Sequence, residues 1–336
     1  GCGLMVDMFK ALVVTEQADG KYSREITTKR IDDLPAGDVL IKVKYSSLNY
    51  KDALSATGNR GVTKKYPHTP GIDAAGVVEE SSVPDFIPGD EVFVTGFDLG
   101  MNTSGGYQEY IRVPAEWVVK RLPNLSLKES MVYGTAGLTA VLSVASLVDS
   151  GVKAGDGEIL VTGTTGGVGS FAARTLVKLG YKVVGVQRQP EEEAYLNSLG
   201  LQRIVAVEEV DDQSGRPMGK TRWAGVIDTV GGNILATAIK TTSYGGGVTC
   251  CGNAASNNLP GSVLPFILRG ITLYGIDSVE CPMDYRLRIW NKIASEWKLD
   301  NVEALAEECS LEELDQKIDL ILKGQVKGRI VVNLSR

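Results

Sequence analysis

A glycine-rich turn near the middle of the chain constrains the fold more than any other feature. In the segment Ile159-Leu-Val-Thr-Gly-Thr-Thr-Gly-Gly-Val-Gly-Ser170, a short apolar run leads into Gly163, Gly166 and Gly169. The apolar residues that follow recur at helical spacing: Val168, Phe171, Ala172, Leu176 and Leu179. Strand, turn and helix in this order, with a second strand about twenty residues on, are typical of a dinucleotide-binding unit. The alternative is a purely structural turn.

Glycine suits such a turn for three physical reasons. It permits a tight bend, it lets the backbone approach a pyrophosphate, and it allows close packing of helix on strand. The start of the helix then offers free N–H groups and the positive end of its dipole to phosphates. The cofactor-binding residues predicted here are Gly163, Thr164, Thr165, Gly166, Gly167, Val168, Gly169 and Ser170.

The residues after the second strand indicate which dinucleotide binds. An NAD site places a carboxylate there for the ribose 2′-hydroxyl, whereas an NADP site places a cation for the 2′-phosphate. The strand Val183–Val186 is followed by Gln187-Arg188-Gln189, and Arg188 can grip a phosphate with two hydrogen bonds. The acids Glu191–Glu193 follow Pro190 and are explained by the first turn of the next helix. NADPH is therefore favoured, the alternative being that Arg188 is a solvated surface charge.

The 336 residues are too many for one compact core, so two domains are expected. Up to about residue 125 the pattern is β-rich: Val39–Tyr45, Ala75–Glu79, Glu91–Thr95, Tyr107–Val113 and Trp117–Arg121. Six short strands then alternate with helical patterns: Ile159–Thr162, Lys182–Val186, Arg203–Ala206, Gly225–Asp228, Gly247–Cys251 and Ile271–Gly275. This alternation predicts an α/β fold with a doubly wound parallel sheet of Rossmann type.

The last part of the chain carries two helical patterns, Tyr285–Trp297 and Leu311–Lys323, and a closing strand, Arg329–Leu334. A final strand after a nucleotide-binding domain commonly returns to the first domain. The predicted boundaries are 1–129 for the first part of a β-rich domain, 130–279 for the Rossmann domain and 280–336 for the return segment. Near strand ends, Trp223 and Tyr244 are expected in the core.

Charge and composition exclude several classes of protein. The net charge is −6 without a basic run, which disfavours nucleic acid as a partner. Apolar stretches are interrupted by Gly or charge, so no membrane span is expected. The stretch Leu4–Met8 is too short for a signal peptide, and whether residues 1–7 are native is left open. The five cysteines, at 2, 250, 251, 281 and 309, have no metal-ligand spacing, which favours a reducing cytoplasm.

Several motifs beyond the glycine turn carry a family resemblance. They are Ser46-Ser-Leu-Asn-Tyr-Lys-Asp52, Pro70-Gly-Ile-Asp-Ala-Ala-Gly76, Pro88-Gly-Asp-Glu-Val92, Gly105-Gly-Tyr-Gln-Glu-Tyr110, Gly134-Thr-Ala-Gly-Leu-Thr-Ala140, Ile227-Asp-Thr-Val-Gly-Gly232 and Pro265-Phe-Ile-Leu-Arg-Gly270. With them the chain resembles, from Met8 onward, the medium-chain dehydrogenase/reductase superfamily. Within it, the chain is most similar to the quinone oxidoreductase YhdH/YhfP group, whose members include acryloyl-CoA reductases.

The resemblance implies a GroES-like catalytic domain built from both chain ends and a Rossmann domain, with an active site in the cleft. It implies that Tyr50 and the glycine turn contact NADPH and that Ser278 lies near the nicotinamide. Around the adenosine 2′-phosphate it implies Gln187, Arg188, Gln189 and Arg203, although relatives often have Ser-Gly-Arg where this chain has Gln-Arg-Gln. Gly252 and Asn253 complete the predicted cofactor-binding set.

No metal is expected. Zinc-dependent members of the superfamily place a Cys near Asn49–Asp52 and a Gly-His-Glu where this chain has Gly71-Ile72-Asp73. A zinc site needs Cys, His or carboxylate donors that converge. The single histidine, His68, lies beside Pro67 and Pro70 and is expected to be an exposed loop residue.

Without a metal to polarise a carbonyl, a conjugated enone, an enoyl thioester or a quinone is a better hydride acceptor than a simple ketone. The resulting enolate needs hydrogen-bond donors and a proton. Tyr50 and Asn49 are the predicted catalytic residues, with Lys51 nearby; Tyr50 packing on the cofactor without proton transfer is equally open. Asp52 is expected in a surface ion pair and Asp73 as a buried structural carboxylate.

The best interpretation is reduction of acryloyl-CoA to propionyl-CoA. One alternative is an NADPH:quinone reductase, and one of another class is a non-catalytic NADPH-binding structural or sensor protein. Arg60, Lys64 and Lys65 are candidates for binding CoA phosphates, against a solvated loop. A homodimer is expected because the strand Ile271–Gly275 lies at a sheet edge, which a second subunit would cover.

Overall fold

The computed structural model describes residues 8–336. The expectations about a signal peptide, about Cys2 and about whether residues 1–7 are native lie outside the described residues. The strands are β1 (Met8–Glu16), β2 (Tyr22–Arg30), β3 (Val39–Leu48), β4 (Asp73–Ser81), β5 (Glu91–Thr95), β6 (Tyr110–Val113), β7 (Val119–Lys120), β8 (Ile159–Val161), β9 (Val183–Gln187), β10 (Arg203–Ala206), β11 (Trp223–Asp228), β12 (Thr242–Cys250), β13 (Thr272–Gly275), β14 (Ala306–Ser310) and β15 (Arg329–Asn333). The helices are α1 (Tyr50–Ala56), α2 (Leu127–Asp149), α3 (Gly167–Lys178), α4 (Glu193–Asn197), α5 (Gly232–Thr241), α6 (Leu264–Arg269), α7 (Met283–Ala294) and α8 (Leu314–Leu322).

The chain divides into two compact units. Unit 1 contains the described residues up to Thr135 together with Val279–Ser295 and Asp300–Arg336, and unit 2 contains Ala136–Ser278 and Glu296–Leu299. The predicted boundaries fall at 129 and 279. The structure places the first division six residues later because α2 begins in unit 1.

Unit 1 is built around a mixed sheet with the order β14-β15-β3-β4-β5-β7, in which β6 also pairs with β3. The closing strand β15 runs antiparallel to β3, with Val332 opposite Ser46. The end of the chain therefore completes the sheet begun by the first part. Inward-facing apolar side chains of β3, β4, β5 and β15 join those of α8 in one buried cluster. The sequence patterns did not predict the β1–β2 hairpin or β14.

Unit 2 is a six-stranded, fully parallel sheet with the order β10-β9-β8-β11-β12-β13. All six predicted strands are present, with ends that differ by five residues at most. The apolar runs of β8, β9 and β11 are buried on both faces, as expected for a parallel sheet covered by helices, whereas the edge strands β10 and β13 are more exposed. This strand order is that of the doubly wound dinucleotide-binding fold, so the predicted fold class is confirmed.

One helix among the described residues, α2, is long and apolar enough to cross a membrane by length and composition. The sequence patterns did not identify this long apolar stretch, in which Gly134 and Gly137 interrupt the apolar run without removing its apolar character. In the structure 89% of the most apolar window is buried, and Gly134 has non-helical torsion angles inside the helix. These are properties of a core helix.

Two further expectations are corrected. His68 is buried rather than exposed, since its backbone pairs with Val14 and its Nε2 lies 2.8 Å from the carbonyl oxygen of Gly100. Burial lowers the pKa of this imidazole. Tyr244 is exposed instead of lying in the core, whereas Trp223 is buried as expected.

Candidate functional site

The glycine turn joins β8 to α3, and two of its glycines are required by internal packing. A Cβ atom on Gly163, whose φ is +59°, would lie 2.1 Å from Oγ1 of Thr229. A Cβ atom on Gly169 would lie 2.1 Å from the carbonyl oxygen of Gly163. Any side chain at Gly169 would therefore collide with backbone, and α3 would be driven off the strand.

Gly166 differs from these two. A Cβ atom there would meet only the carbonyl oxygen of Gly163 at 3.4 Å, which is an ordinary contact. Packing within the protein therefore does not require glycine at this position, and the space beside it is open. In the dinucleotide fingerprint the second glycine is the one that lets a pyrophosphate approach the backbone. The open side of Gly166 is therefore compatible with a pyrophosphate that approaches the backbone there.

Helix α3 begins at Gly167, directly after this open position. The first intrahelical bond is donated by the Ser170 N–H to the Gly166 carbonyl, at 2.9 Å. The N–H groups of the helix's first turn have no partner within the helix, so they are available to an anion. The predicted phosphate cradle therefore has both room and donors.

The side chains of two residues predicted to bind the cofactor in this turn already make hydrogen bonds within the protein. Oγ1 of Thr164 donates to the Val161 carbonyl and accepts from the Val186 N–H, so it ties β8 to β9. Oγ of Ser170 donates to the Thr164 carbonyl. Both side chains are buried. Their contribution to a phosphate site would come from the backbone.

The predicted adenosine end lies where β9 finishes. Gln187 is the last residue of β9, and Arg188 and Gln189 follow it at the carboxyl edge of the sheet. The Arg188 side chain is 48% exposed and pairs with the carboxylate of Glu192 at 3.0 Å. Arg188 is thus neither a plain surface charge nor an isolated cation.

Arg203 lies elsewhere. It is the first residue of β10 and is opposite Val184, whereas Ala206 is opposite Gln187. Its guanidinium makes three hydrogen bonds, at 2.9, 3.0 and 3.3 Å, to Glu158, which precedes β8. Arg203 therefore lies at the amino edge of the sheet, opposite the edge where dinucleotides bind. The structure does not bring it to the predicted 2′-phosphate group.

The remaining cofactor candidates lie at the carboxyl edge. Gly252 and Asn253 follow β12, and a Cβ atom on Gly252 would lie 2.2 Å from the carbonyl oxygen of Thr229. Ser278 follows β13, is buried, and its Oγ accepts a hydrogen bond from Oγ1 of Thr139 at 2.7 Å. These three residues share this edge of the sheet with the glycine turn.

The predicted catalytic residues belong to unit 1, at the start of α1. Tyr50 is its first residue and is 42% exposed. Asn49 is buried, and its Nδ2 donates to Oδ2 of Asp52 at 3.0 Å and to Oδ2 of Asp73 at 2.8 Å. Its Oδ1 accepts from Arg329 at 3.2 Å. The Asn49 amide therefore has protein partners for both its nitrogen and its oxygen, and its catalytic role stays a prediction.

Asp52 is fully buried, so the expectation of a surface ion pair is wrong. Its carboxylate accepts the N–H groups of Asn49 at 2.9 Å and Ile72 at 2.8 Å. Burial, and then the nearby negative charge of Asp73, raise the pKa of Asp52 to about 6. The side chain therefore organises the start of α1 from within.

Asp73 is the buried structural carboxylate that the sequence suggests. It accepts hydrogen bonds from Ser47 and from the N–H and hydroxyl groups of Thr135. The buried Arg329 guanidinium lies 3.8 Å from it and donates to the carbonyl oxygens of Leu48 and Val132, both at 2.9 Å. We call Asn49, Asp52, Asp73 and Arg329 the buried polar cluster.

The donor chemistry of these positions does not suit zinc. No group of three or more His, Cys, Asp or Glu side chains that could hold a metal ion is present in residues 8–336. At the corresponding positions the chain has the amide of Asn49 and the carboxylate of Asp73, which is already bonded to Ser47, Asn49 and Thr135.

The structure changes the interpretation of the basic residues suggested to bind CoA phosphates. Arg60 pairs with Glu16 at 2.5 Å and donates to the Lys64 carbonyl at 2.6 Å, while its guanidinium lies over the ring of Tyr66. The charge of Arg60 is therefore offset by Glu16. Lys64 is exposed, as is Lys65, and these two residues keep the loop basic.

The sequence patterns did not identify two residues as important: Glu192 at the adenosine end and Arg329 in the buried polar cluster. Glu192 lies three residues after Gln189, which is the spacing of a capping acid, and this explains its bond to the Gln189 N–H. Nothing local marks Arg329, because its partners are contributed by residues from the first 135 positions.

Comparisons with known proteins agree with this geometry. The profile of the alcohol dehydrogenase GroES-like domain matches residues 35–124, and that of the zinc-binding dehydrogenase matches residues 167–295. Acrylyl-CoA reductase AcuI of Ruegeria pomeroyi is 44% identical over 329 residues, which cover 98% of this chain and 100% of that protein.

Two crystal structures are similar over nearly their full length. The yhdH oxidoreductase from Salmonella enterica in complex with NADP has a TM-score of 0.93 at 42% identity, covering 97% of this chain and 99% of that one. Bacillus subtilis protein yhfP with NAD bound has a TM-score of 0.94 at 43% identity, with the same coverage. The chain therefore belongs to the medium-chain dehydrogenase/reductase superfamily and, within it, to the quinone oxidoreductase family of YhdH, YhfP and AcuI.

Proposed function

We propose that this protein is an NADPH-dependent reductase of an activated carbon–carbon double bond, and that acryloyl-CoA is its substrate. The observation that carries the proposal is the near full-length match, at 44% identity, to acrylyl-CoA reductase AcuI. The open position at Gly166 and the N–H groups at the start of α3 support a bound dinucleotide.

Bound NADPH supplies a hydride to the β-carbon of the thioester. The α-carbon gains a proton from a donor or from water, so acryloyl-CoA, NADPH and H⁺ become propionyl-CoA and NADP⁺. Negative charge collects on the thioester oxygen during the transfer and needs hydrogen-bond donors. Tyr50, whose ring is partly exposed, is our candidate for the residue that orients or protonates this enolate.

The choice of NADPH rests on Arg188, the cation at the carboxyl end of β9. A crystal structure of the relative yhdH contains NADP, which favours the same cofactor here, whereas that of yhfP contains NAD. Gln187, Gln189, Gly252, Asn253 and Ser278 are proposed to line the rest of the cofactor site at the same sheet edge.

Reduction of quinones is the second candidate activity, because the relative YhfP from Bacillus subtilis, 43% identical, is named a putative quinone oxidoreductase. A non-catalytic NADPH-binding role is the alternative of another class, and measurable turnover would exclude it. Zinc-independence belongs to the proposal and rests on the side chains at the positions of the superfamily's zinc ligands.

We also propose a homodimer formed through unit 2. Strand β13 is a sheet edge with β12 as its neighbour. Beside it, α6 and the residue before it expose Val263, Ile267 and Leu268. A second copy would pair the edge and cover the apolar side chains at once.

A cytoplasmic location is proposed because Cys250, Cys251, Cys281 and Cys309 are all free thiols. No nucleic-acid or membrane partner is proposed, since the net charge is −6.

The reaction is tested with NADPH deuterated at the transferable position. Incubation with acryloyl-CoA should give propionyl-CoA that is one mass unit heavier, with the deuterium at the β-carbon. Deuterium at the α-carbon would contradict the proposed direction of hydride addition. Unlabelled product, or no product at all, would overturn the function.

A further inference from the structure

The residue that contacts most of the groups at the adenosine end is Glu192. Its side chain is only 7% exposed, although the residues on either side of it in the 3₁₀ turn before α4 are exposed. Oε1 accepts the N–H groups of Arg188 at 2.7 Å and Gln189 at 3.1 Å. Oε2 accepts from the Arg188 guanidinium at 3.0 Å and from Oγ1 of Thr165 at 3.2 Å. One carboxylate thus connects the glycine turn with the loop after β9.

Glu192 is ionised near neutral pH. Burial alone would raise the pKa of this carboxyl, but the hydrogen bonds from Arg188 and Gln189 outweigh it and hold the pKa below its ordinary value. The Arg188 guanidinium therefore faces a full negative charge. Together the two side chains are neutral, where an NADP site ordinarily offers a net positive charge to the 2′-phosphate.

The two dinucleotides respond differently to this arrangement. A 2′-phosphate needs the guanidinium and is repelled by a carboxylate beside it, whereas a ribose 2′-hydroxyl carries no charge and can donate to a carboxylate. NADPH must therefore compete with Glu192 for Arg188, and NADH does not. An ion pair of this kind would weaken the binding of NADPH more than that of NADH.

We propose that Glu192 is a specificity-determining residue, which restrains Arg188 in an ion pair and so limits the preference of this protein for NADPH over NADH. The inference rests on the proposed function, since it concerns the same cofactor site. It predicts that NADH is bound to a measurable extent by the wild-type protein. It also predicts that the preference for NADPH rises when the charge of Glu192 is removed.

The test uses the full-length protein with Glu192→Gln and Glu193→Gln. The glutamine at 192 keeps an oxygen for the N–H groups of Arg188 and Gln189, so the loop retains its main supports. Glu193, one residue further on, is exposed and serves as the matched control for loss of one charge. Dissociation constants for NADPH and NADH are measured by the fluorescence of the reduced nicotinamide, without any substrate.

For Glu192→Gln we expect the ratio of the NADH to the NADPH dissociation constant to rise about tenfold or more, because a charge-assisted hydrogen bond no longer competes for Arg188. The value for NADH should stay within about threefold of wild type, which also shows that the loop is intact. Glu193→Gln should leave the ratio unchanged. In an Arg188→Gln background most of the effect of Glu192→Gln should vanish, because the two residues act as a pair.

An unchanged or reduced ratio in Glu192→Gln, with both dinucleotides still binding to wild type, would overturn this inference and leave the proposed function intact. An equal rise in Glu193→Gln would also overturn it, since the effect would then be one of general charge. Failure of wild type to bind either dinucleotide would overturn the proposed function and the inference with it.

Discussion

At the scale of single residues, the glycines at positions 163, 166 and 169 of the turn have different roles although the sequence presents them as one motif. Gly163 and Gly169 are fixed by contacts inside the protein, whereas Gly166 faces open space. The spacing of the glycines predicts the turn but does not distinguish these roles, because they depend on Thr229 and on the backbone of Gly163.

This distinction predicts opposite behaviour for two alanine substitutions. Gly166→Ala should fold with the stability of wild type and lose most of its affinity for NADPH, because the methyl group occupies the space for the pyrophosphate. Gly169→Ala should lower the free energy of unfolding by at least about 2 kcal/mol, since its Cβ would collide with backbone. Urea unfolding and NADPH titration separate the two effects. Equal losses of affinity without loss of stability would contradict this assignment.

Tyr50 gives a second prediction at this scale. If its hydroxyl orients or protonates the enolate, Tyr50→Phe should lower kcat for acryloyl-CoA by about 100-fold, in the range for general acid catalysis, with the dissociation constant of NADPH unchanged. Steady-state kinetics and NADPH titration measure the two quantities. A weaker affinity for NADPH with an unchanged kcat would instead mean that the ring only packs on the cofactor.

The surroundings of several residues were not predicted from the sequence, and the physical reason is the same for each of them. Asp52 is read as a surface acid because it follows Lys51 in a short polar run, yet it is completely buried. Its surroundings include Ile72 and Asp73, which the pairing of β4 with β3 brings close to it. Arg203 illustrates the same limit, since its place in β10 becomes clear only from the pairing of β10 with β9, and so does Glu192, whose contact with Thr165 joins residues far apart in the sequence.

At the scale of elements, the buried polar cluster ties β3, β4, β15 and the start of α1 together. Arg329, contributed by the last strand, donates to the carbonyl oxygen of Leu48 and to the side chain of Asn49. The cluster therefore couples the end of the chain to the residue before Tyr50. It also gives a reason for the return of the chain to unit 1.

Removal of Arg329 should consequently destabilise unit 1. We expect Arg329→Met to lower the free energy of unfolding by about 3–5 kcal/mol, because two buried carboxylates and two carbonyls lose their cation. Arg336→Met, which removes an exposed guanidinium paired with Glu308 and Glu313, should cost less than about 1 kcal/mol. Urea denaturation compares the two variants. Similar small losses in both would contradict a structural role for the cluster.

The elements themselves are largely predictable from sequence. The six strands of unit 2 follow from short apolar runs separated by helical periods, and their order follows from the rules for parallel sheets. The β1–β2 hairpin and β14 were missed for a different reason. In β2 most side chains are partly or fully exposed, and β14 reads Ala-Glu-Glu-Cys-Ser, so neither shows the alternation of a half-buried strand.

At the scale of the whole molecule, the proposed dimer rests on the β13 edge and on the exposed face of α6. Ile267→Asp should convert the dimer to a monomer, because Ile267 is 70% exposed and the charge would be buried on association. Ile87→Asp, at an apolar position of unit 1 that is 60% exposed, serves as the control and should remain dimeric. Light scattering after size exclusion measures both. A monomeric wild type, or a dimeric Ile267→Asp, would contradict this interface.

Metal-independent, NADPH-dependent reduction of acryloyl-CoA is measured by initial rates of cofactor oxidation in the presence of a chelator. NADPH and NADH are each compared with acryloyl-CoA, crotonyl-CoA and a 1,4-quinone as acceptors. We expect the highest kcat/KM for NADPH with acryloyl-CoA, and we expect the chelator to leave this value unchanged. Turnover with the quinone alone, or loss of activity on chelation, would contradict it.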